Sequence, residues 1–479
     1  MKRTTLLILL IFTTIGLFGC VETTDPPIDD PNYSPIDDPH DPQDDEPVEM
    51  GTFDRLFDVV KYRKITIEIS SEAWYEMDEN MQYHNDQFGN LKTDEYVVAN
   101  MIYEDDEGVL DINHIGIRPR GNLSLTTLMD QDDNINMNHF KIKFNEDFDG
   151  DYPDNDGRRG FDLKELNVKW NRNYDDTYLT EPYAFRMMNA FGVYAPMTTH
   201  FVFSLKIDDV ETVMGLYIGF EPIDDEFIER RYDKNANDGD LYKCLWQAYG
   251  PATLEPIVNM AAIGIRNVSS NYFPAYDLKT NKDTSNHEGL LSFIDQINAL
   301  SGSAFNAYIE ANFEVDMFLR LLAVNAFFGN PDDYRAMGNN YYLYQNSDTG
   351  KWSMIPYDFD HGLGQGWFES QVYPNYTIGV DIYAWFDLND HLTGHESSEV
   401  LVDKLFTQSI YREQYKAIVQ DILNDDFFTI GYFNDMYQTL RTAFEGTYDD
   451  ALDTQAFGLR HVFSYIFAKR DDISSQITS

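Results

Sequence analysis

The chain has 479 residues, 43% of them hydrophobic, which is enough apolar material for one large or two ordinary domains and excludes a disordered protein. Its 82 acids against 35 Lys and Arg leave a formal charge of −47, which sets nucleic acid aside as a partner. Such acidity fits a saline habitat, basic substrates or loosely held cations, and composition does not choose among these.

The first 20 residues carry Lys2 and Arg3, an apolar run from Leu6 to Phe18, and then Leu17-Phe-Gly-Cys20. This reads as a signal peptide ending in a lipobox-like sequence. A membrane anchor is the competing reading, but the apolar run is short for a span and is interrupted by Thr13 and Thr14. Cleavage before Cys20 and lipid on its sulfur would hold the protein on the outer face of a bacterial membrane, at the periplasmic side or the cell surface. Residues 21–50 contain seven prolines and eleven acids with no Lys or Arg, so they are expected to form an extended, self-repelling tether. With two cations before Cys20 and eleven acids in the tether, −38 of the net −47 remains on the body from Gly51 onward. Once Cys20 is lipidated, Cys244 has no partner for an intramolecular disulfide.

The body begins with an alternating strand over Lys64 to Ser70, followed by a helix capped by Ser71 that runs through Trp74 to Met81. Further strands are predicted at Glu95 to Tyr103, Asp111 to Pro119, Phe140 to Phe144, His200 to Ile207 and Val213 to Phe220. One helix, Tyr178 to Phe191, separates the two groups. Residues 51–222 therefore read as a mixed sheet with a single inserted helix. The loop Asn145 to Arg159 is dense in acids and offers Ca²⁺ a place, although its spacing is not that of an EF-hand. From residue 223 the remainder reads as helical, with helices at His287 to Leu300, Ala304 to Asn312, Val315 to Phe328, Ser398 to Gln408, Arg412 to Leu423, Asn434 to Phe444 and Gly458 to Ile473.

One hairpin interrupts these helices. Asn339 to Asn346 reads as a strand, Asp348-Thr349-Gly350 as a turn and Lys351 to Tyr357 as the return strand. Closing it brings Asp332 and Asn340, on one side, toward Asp358 and Asp360 on the other. Hard oxygen donors of this kind suit Mg²⁺ or Mn²⁺ and not zinc. An Asp to accept a hydroxyl proton, an Asn for metal and a second Asp after a hairpin have the logic of phosphoryl transfer. The usual kinase letters are missing: there is no His-Arg-Asp, Asp358-Phe359 is followed by Asp360, and no G-x-G-x-x-G occurs.

Asn330-x-Asp332, the Asn340-Tyr-Tyr-Leu-Tyr344 strand and Pro356-Tyr-Asp-Phe-Asp360 resemble the CotH family of atypical, spore-coat-type protein kinases. Family members more often carry Trp where Tyr357 stands. Upstream, Ile117-Arg-Pro-Arg-Gly-Asn-Leu-Ser124 resembles the family's R-x-K-G-N-x-S loop, and His139-Phe-Lys-Ile-Lys-Phe144 the basic strand after it. Leu166-Asn-Val, Thr180-Glu181 and Gly215-Leu-Tyr-Ile-Gly-Phe-Glu221 follow in the family's order, so the resemblance covers roughly residues 60 to 475. It implies an α+β, two-lobe kinase-like fold that binds ATP with Mg²⁺ or Mn²⁺ and phosphorylates Ser or Thr of surface or secreted proteins.

Residue by residue, Asp332 is the expected proton acceptor, with Asp333 its rival by one position and a plain turn the bland alternative. Asp358, Asp360 and Asn340 are the expected metal ligands, since a carboxylate at the inner end of the apolar strand MIPY is costly without a cation. Lys141 and Lys143 share one face of their strand, and one of them, Lys141 by preference, is expected to touch phosphates while paired to Glu181. Glu181 could instead only complement its helix dipole. Arg118, Arg120, Gly121, Asn122 and Ser124 would form the loop over the phosphates. Glu221 would meet adenine's amino group or ribose, or else make an interlobe salt bridge. The alternative function is a catalytically silent surface binding, adhesion or assembly module of the same fold.

Overall fold

Period-two alternation closes the first half of the chain into a barrel. In the computed structural model the described residues are 50–478, leaving out 123, 172, 174, 367–374, 386, 394–398 and 448–457. The leader, Cys20 and the acidic tether lie outside them. Among the described residues no helix is long and apolar enough to cross a membrane.

After a short helix α1 (Phe53–Phe57), the barrel is built from β1 (Lys64–Ile69), β2 (Val97–Asp105), β3 (Gly108–Arg120), β4 (His139–Lys143), β5 (Glu165–Trp170), β6 (Thr198–Ile207) and β7 (Val210–Phe220). The order round it is β1-β2-β3-β4-β5-β7-β6, closed by parallel pairing of β1 with β6. The expected mixed sheet is closed into a barrel, and β5, absent from the strand list read off the sequence, is the strand that joins β4 to β7. Ile65, Ile67, Ile117, Phe140, Ile142, Leu166, Val168 and Phe203 fill the interior. On β4 and β5 the alternate residues Lys141, Lys143, Glu165, Asn167 and Lys169 consequently point outward.

Helix α2 (Ser71–Phe88) packs Trp74, Met77 and Met81 against this barrel core. Its N-cap is Ser70, one residue earlier than expected, whose hydroxyl accepts from Ala73 N at 3.1 Å. Helix α3 (Thr180–Ala190) lies between β5 and β6 in sequence, and α4 (Asp225–Arg231) follows β7.

A second sheet contains β8 (Leu241–Cys244), β9 (Ile263–Gly264), β10 (Tyr276–Leu278), β11 (Tyr341–Gln345) and β12 (Trp352–Pro356), in the order β12-β11-β8-β10-β9. The predicted hairpin is β11–β12, with Tyr341 opposite Pro356. It is the edge of a five-stranded sheet, a context hidden in the sequence because β8, β9 and β10 are only two to four residues long. Cys244 is buried on β8, and burial pushes its thiol well above the usual range.

The remaining elements are helical: α5 (Glu288–Ala299), α6 (Gly302–Asn312), α7 (Val315–Phe328), α8 (Tyr334–Met337), α9 (Leu388–Thr393), α10 (Val400–Phe406), α11 (Ser409–Asn424), α12 (Ile430–Ala443) and α13 (Leu459–Thr478). Helix α7 is apolar on almost every side and forms the axis of this half, as a helix buried all round must. The fold is thus mixed α/β, a seven-stranded barrel joined to a helical half that carries a small sheet.

The acidic loop of residues 145–159 is tied down by its own Asn155 and Arg158. The Asn155 amide donates to His114 O at 2.7 Å, and the Arg158 guanidinium donates to Phe144 O at 2.6 Å. No three of its acids converge on a metal-sized space; among the described residues only Asp105-Asp106-Glu107 and Glu181-Asp358-Asp360 do. The first group is matched by Arg55 and Lys61, with Lys61 Nζ 3.1 Å from Asp105 and 2.6 Å from Glu107.

Candidate active site

Asp332 is placed by the end of α7. The helix stops at Gly329, whose φ of +69° and crowding by Tyr465 and Thr377 leave no room for a Cβ. Asn325 on the last turn then accepts from Asn330 N at 2.9 Å and donates to Asp333 Oδ2 at 2.6 Å. The other oxygen of Asp333 caps α8 through Ala336 N at 2.9 Å. Asp333 is therefore fully used in holding the loop, and Asp332 is the acid turned toward the hairpin. Its Oδ1 accepts from the Asn339 amide at 2.7 Å. Burial, with Asp358 and Asp360 nearby, pushes the Asp332 carboxyl up to about 6, against the opposing pull of His361 and Asn339.

The open end of the hairpin carries two left-handed residues, Asn340 at φ +55° and Asp358 at φ +57°. Asn and Asp tolerate this conformation better than other side chains, though at a cost that local contacts must cover. Here Tyr357 N donates to Asn340 O at 3.1 Å, and the Asn340 amide donates to Asp332 O at 3.1 Å. Asp332, Asn340 and Asp358 are in this way drawn to one end of the hairpin.

The cation facing these acids comes from β5. Lys169 Nζ lies 2.7 Å from Glu181 Oε2, 2.7 Å from Asp358 Oδ1 and 2.8 Å from Asp360 Oδ2. Glu181 starts α3 and accepts Phe359 N at 3.2 Å with its other oxygen, so it clamps the segment between the two aspartates. Burial pushes Glu181 up to about 7 while Lys169 works against that rise. Asp358 goes the other way: burial opposes ionisation, but hydrogen-bonded Lys169, with Arg120 and Lys243 nearby, holds it below the usual carboxylate range.

Neither Lys141 nor Lys143 meets Glu181. Lys141 pairs with Glu165 on the neighbouring strand, and Lys143 with Glu146 at 2.8 Å. All three lysines share the outward face of the barrel, and of the three it is Lys169 that reaches Glu181 at the start of α3. Lys169 was legible in principle, because it stands directly after the Leu166-Asn-Val motif on the outward face shared with Glu165 and Asn167.

The proposed phosphate loop divides. Arg118 is buried at the barrel surface, its guanidinium donating to Thr93 O at 3.1 Å, pairing with Asp94 at 3.1 Å and lying over Tyr96, away from the acids. Arg120 does reach the hairpin, donating from Nη2 to Tyr357 Oη at 2.8 Å. Gly121 (φ +144°) and Asn122 are exposed and Ser124 is half-buried, at the end of β3. None of these three has a contact to Lys169 or Asp358.

Glu221 is buried under α4, with Arg230 Nε at 2.9 Å, Arg231 Nη2 at 2.6 Å and Met197 N at 3.0 Å. Both its oxygens are taken, which leaves none for adenine or ribose. Glu221→Gln is expected to cost about 3–5 kcal/mol in urea unfolding, because two cations lose a buried partner.

Glu181, Asp358 and Asp360 offer three carboxylate oxygens within 4.8 Å of one another, and a positive charge already stands among them as the Lys169 ammonium. The donor set and its need for a cation fit a hard divalent ion such as Mg²⁺ or Mn²⁺.

Residues 117–458 match the family model described as CotH kinase protein. The chain belongs to this CotH family. The match takes in every residue of the site, whereas β1, β2 and most of β3, which complete the barrel, and helix α2 precede it. Inner spore coat protein H of Bacillus subtilis (strain 168) is 23% identical over 231 residues, covering 47% of this chain and 55% of that relative. The chain thus spans little more than half the length of the curated CotH relative. A crystal structure of the Helicobacter pylori proinflammatory kinase CtkA superposes over 65% of this chain and 89% of that one, at 11% identity and a TM-score of 0.27.

Proposed function

We propose that this protein is an extracytoplasmic kinase that moves the γ-phosphoryl group of ATP to Ser or Thr hydroxyls of surface or secreted proteins, in a two-lobed fold with its cleft between barrel and helices. The observation that carries this reading is the grip of Lys169 on Glu181, Asp358 and Asp360, beside Asp332. A lysine oriented by a glutamate and an aspartate after a hairpin are parts that phosphoryl transfer requires.

Asp358 and Asp360, with Asn340, would hold Mg²⁺ or Mn²⁺, whose chemistry there is to neutralise phosphate charge. Lys169, oriented by Glu181, would bind phosphate oxygens. The acceptor hydroxyl oxygen forms its bond to the γ-phosphorus as the bond from phosphorus to the bridging oxygen breaks, and ADP leaves with that electron pair. The hydroxyl proton passes to Asp332, whose Oδ1 is occupied by Asn339 and whose Oδ2 remains for it. An outward, lipid-anchored address through Cys20 would place the acceptors on the surface or in the secreted fraction.

The second reading is a silent binding or assembly module, and it too has an observation in its favour: Lys169 already neutralises the acids. Incorporation of labelled γ-phosphate from ATP into a generic Ser/Thr protein, with Mg²⁺ or Mn²⁺, separates the two. Label is expected with the native chain and is expected to fall at least about 100-fold in both Asp332→Ala and Asp358→Ala. No label despite metal-dependent ATP binding would favour the silent module, and unchanged metal and nucleotide binding by Asp358→Ala would overturn the site itself.

A further inference from the structure

Behind Asp332 stands a tryptophan with no part in the transfer described above. The segment after β8 continues antiparallel to the residues before β11, so that Trp246 stands opposite Asn339, two residues beyond the pair Cys244 and Tyr341. Trp246 N donates to Asn339 Oδ1 at 2.7 Å, and the Asn339 amide donates to Asp332 Oδ1 at 2.7 Å. A backbone N–H can only donate, so the oxygen end of Asn339 must face Trp246 and its NH₂ end must face Asp332. The orientation of the Asp332 carboxylate is thereby tied to the chain at Trp246, and Oδ2 is the oxygen left to an acceptor hydroxyl.

The Trp246 side chain is 38% exposed although its backbone and its ring are both held. Its Nε1 donates to Asn389 Oδ1 at 2.9 Å, and buried Asn389 donates in turn to Met337 O at 3.0 Å, which binds the ring to α9 and to the end of α8. Tyr249, also exposed, follows on a tight turn closed by Gln247 and Gly250. Its ring meets that of Tyr272 edge-on, with centroids 5.8 Å apart, and the Tyr272 hydroxyl lies 3.0 Å from Ala261 O and 3.1 Å from Ile263 O. Exposed apolar side chains scattered singly need no explanation. Here Trp246, Tyr249, Met260 and Ile265 are all exposed in the one connection between β8 and β10, and Trp246 and Tyr272 are pinned by hydrogen bonds. Rigid Trp and Tyr rings supply contact area at little cost in conformational entropy, which is what a recognition surface requires.

Its position decides what such a surface would recognise. An acceptor hydroxyl on Asp332 Oδ2 belongs to a chain whose neighbouring residues are spaced about 3.3 Å apart when extended, and Trp246 begins two hydrogen bonds from the same carboxylate. We propose that Trp246 is a specificity-determining residue for the acceptor: its indole, with Tyr249 on the same turn, receives a large apolar side chain close in sequence to the phosphorylated Ser or Thr. Asn339 is the positioning residue between that contact and Asp332, so recognition of the acceptor and removal of its proton are served by one rigid unit. That the bound chain accepts phosphate rests on the kinase reading above; the apolar recognition surface itself does not.

Two measurements on the full chain test this, with short Ala/Gly peptides that carry one central Ser and, beside it, Ala, Leu, Phe or Lys. The first is labelled transfer from ATP with Mg²⁺. The second is anisotropy binding, without nucleotide, of the same peptides carrying a fluorophore and Ala in place of Ser. The native chain is expected to favour Leu or Phe over Ala at least about tenfold, in KM for transfer and in Kd for binding. Trp246→Ala is expected to lose that preference, Trp246→Phe to keep it to within about threefold, and Phe467→Ala, which alters an exposed ring on α13, to leave it unchanged. Asn339→Ala retains the indole and is expected to lower kcat at least about tenfold, with KM and the preference kept. A native chain without the preference, an undiminished preference in Trp246→Ala, or tighter binding of the Lys peptide would overturn the assignment, and transfer in the same samples would leave the kinase reading intact. Loss in Trp246→Phe equal to that in Trp246→Ala would make the indole a prop for Asn389 and overturn the selection as well. Apolar preference in binding with no transfer to any peptide would remove the kinase reading and leave the recognition surface standing.

Discussion

Replacing Lys169 with Met is expected to lower phosphoryl transfer by about 10²–10³-fold and to cost about 3–5 kcal/mol of stability. The two effects share one cause. Lys169 is the cation in contact with Glu181, Asp358 and Asp360 together, and without it one buried and two half-buried carboxylates face one another. The loss should depend on pH with a definite sign. In the native protein Asp358 is held below its ordinary range, so its contribution is present above the unfolded carboxylate value near 4 and is lost as pH falls through the depressed folded value. In the variant that depression is gone and the three acids prefer protonation. The deficit relative to native should then be greatest at pH 8 and shrink toward pH 4. Urea unfolding of both proteins at those two values decides it, and a pH-independent deficit would mean that Lys169 acts by packing alone.

Asp332→Asn should do the opposite to stability while it also removes activity. Burial raises the Asp332 carboxyl to about 6, above its unfolded value, so ionising it weakens the fold as pH rises from 4 to 6 and the penalty persists at pH 8. The amide avoids that penalty. We expect Asp332→Asn to be more stable than native at pH 8 by about 2 kcal/mol, with the gain fading by pH 4, and to transfer phosphate at least about 100-fold more slowly. Asp333→Ala is the control one residue away. It removes the α8 cap and leaves Asn325 short of a partner, so it should lose about 1–3 kcal/mol at pH 4, and less at pH 8, because burial raises the Asp333 carboxyl to about 6 and its ionisation already weakens the native fold there. Thermal melts at pH 4 and 8 beside the labelled-phosphate assay test both variants. A stabilised Asp333→Ala or a destabilised, active Asp332→Asn would exchange the two roles.

Much of the site was legible because it is local. Asp332, Asn340, Asp358 and Asp360 lie within 29 residues of one another in sequence, linked by a hairpin whose turn and alternation are plain. The choice of Asp332 over Asp333 was open from sequence, and it turns on which acid Asn325 and the α8 cap engage. The face of β4 that carries Lys141 and Lys143 was also readable from period-two alternation. What alternation does not carry is which of several outward lysines meets Glu181 at the start of α3: Lys169, 12 residues before it, does so, and Lys141 on the preceding strand does not. Arg118 and Arg120 show the same limit: they share a face, yet one ends against Asp94 and Tyr96 and the other against Tyr357. Glu221 stands at its strand end as expected, but α4 returns over it with Arg230 and Arg231, a turn of the chain with no periodic signature.

By itself, then, the sequence determined the chemical inventory and its local order: an acidic body, a run of alternating strands, a helical second half, and acids and amides at the two ends of one hairpin. Periodicity and turn chemistry act over a few residues and leave a readable pattern. Only the tertiary structure decided that Lys169 meets Asp358 across 189 residues, that α3 brings Glu181 to the same point, and that Trp246 stands behind Asn339 and Asp332. Ion pairing rises and falls over a few ångströms, and those ångströms are set by barrel closure, strand register and helix packing, which depend on the whole fold at once.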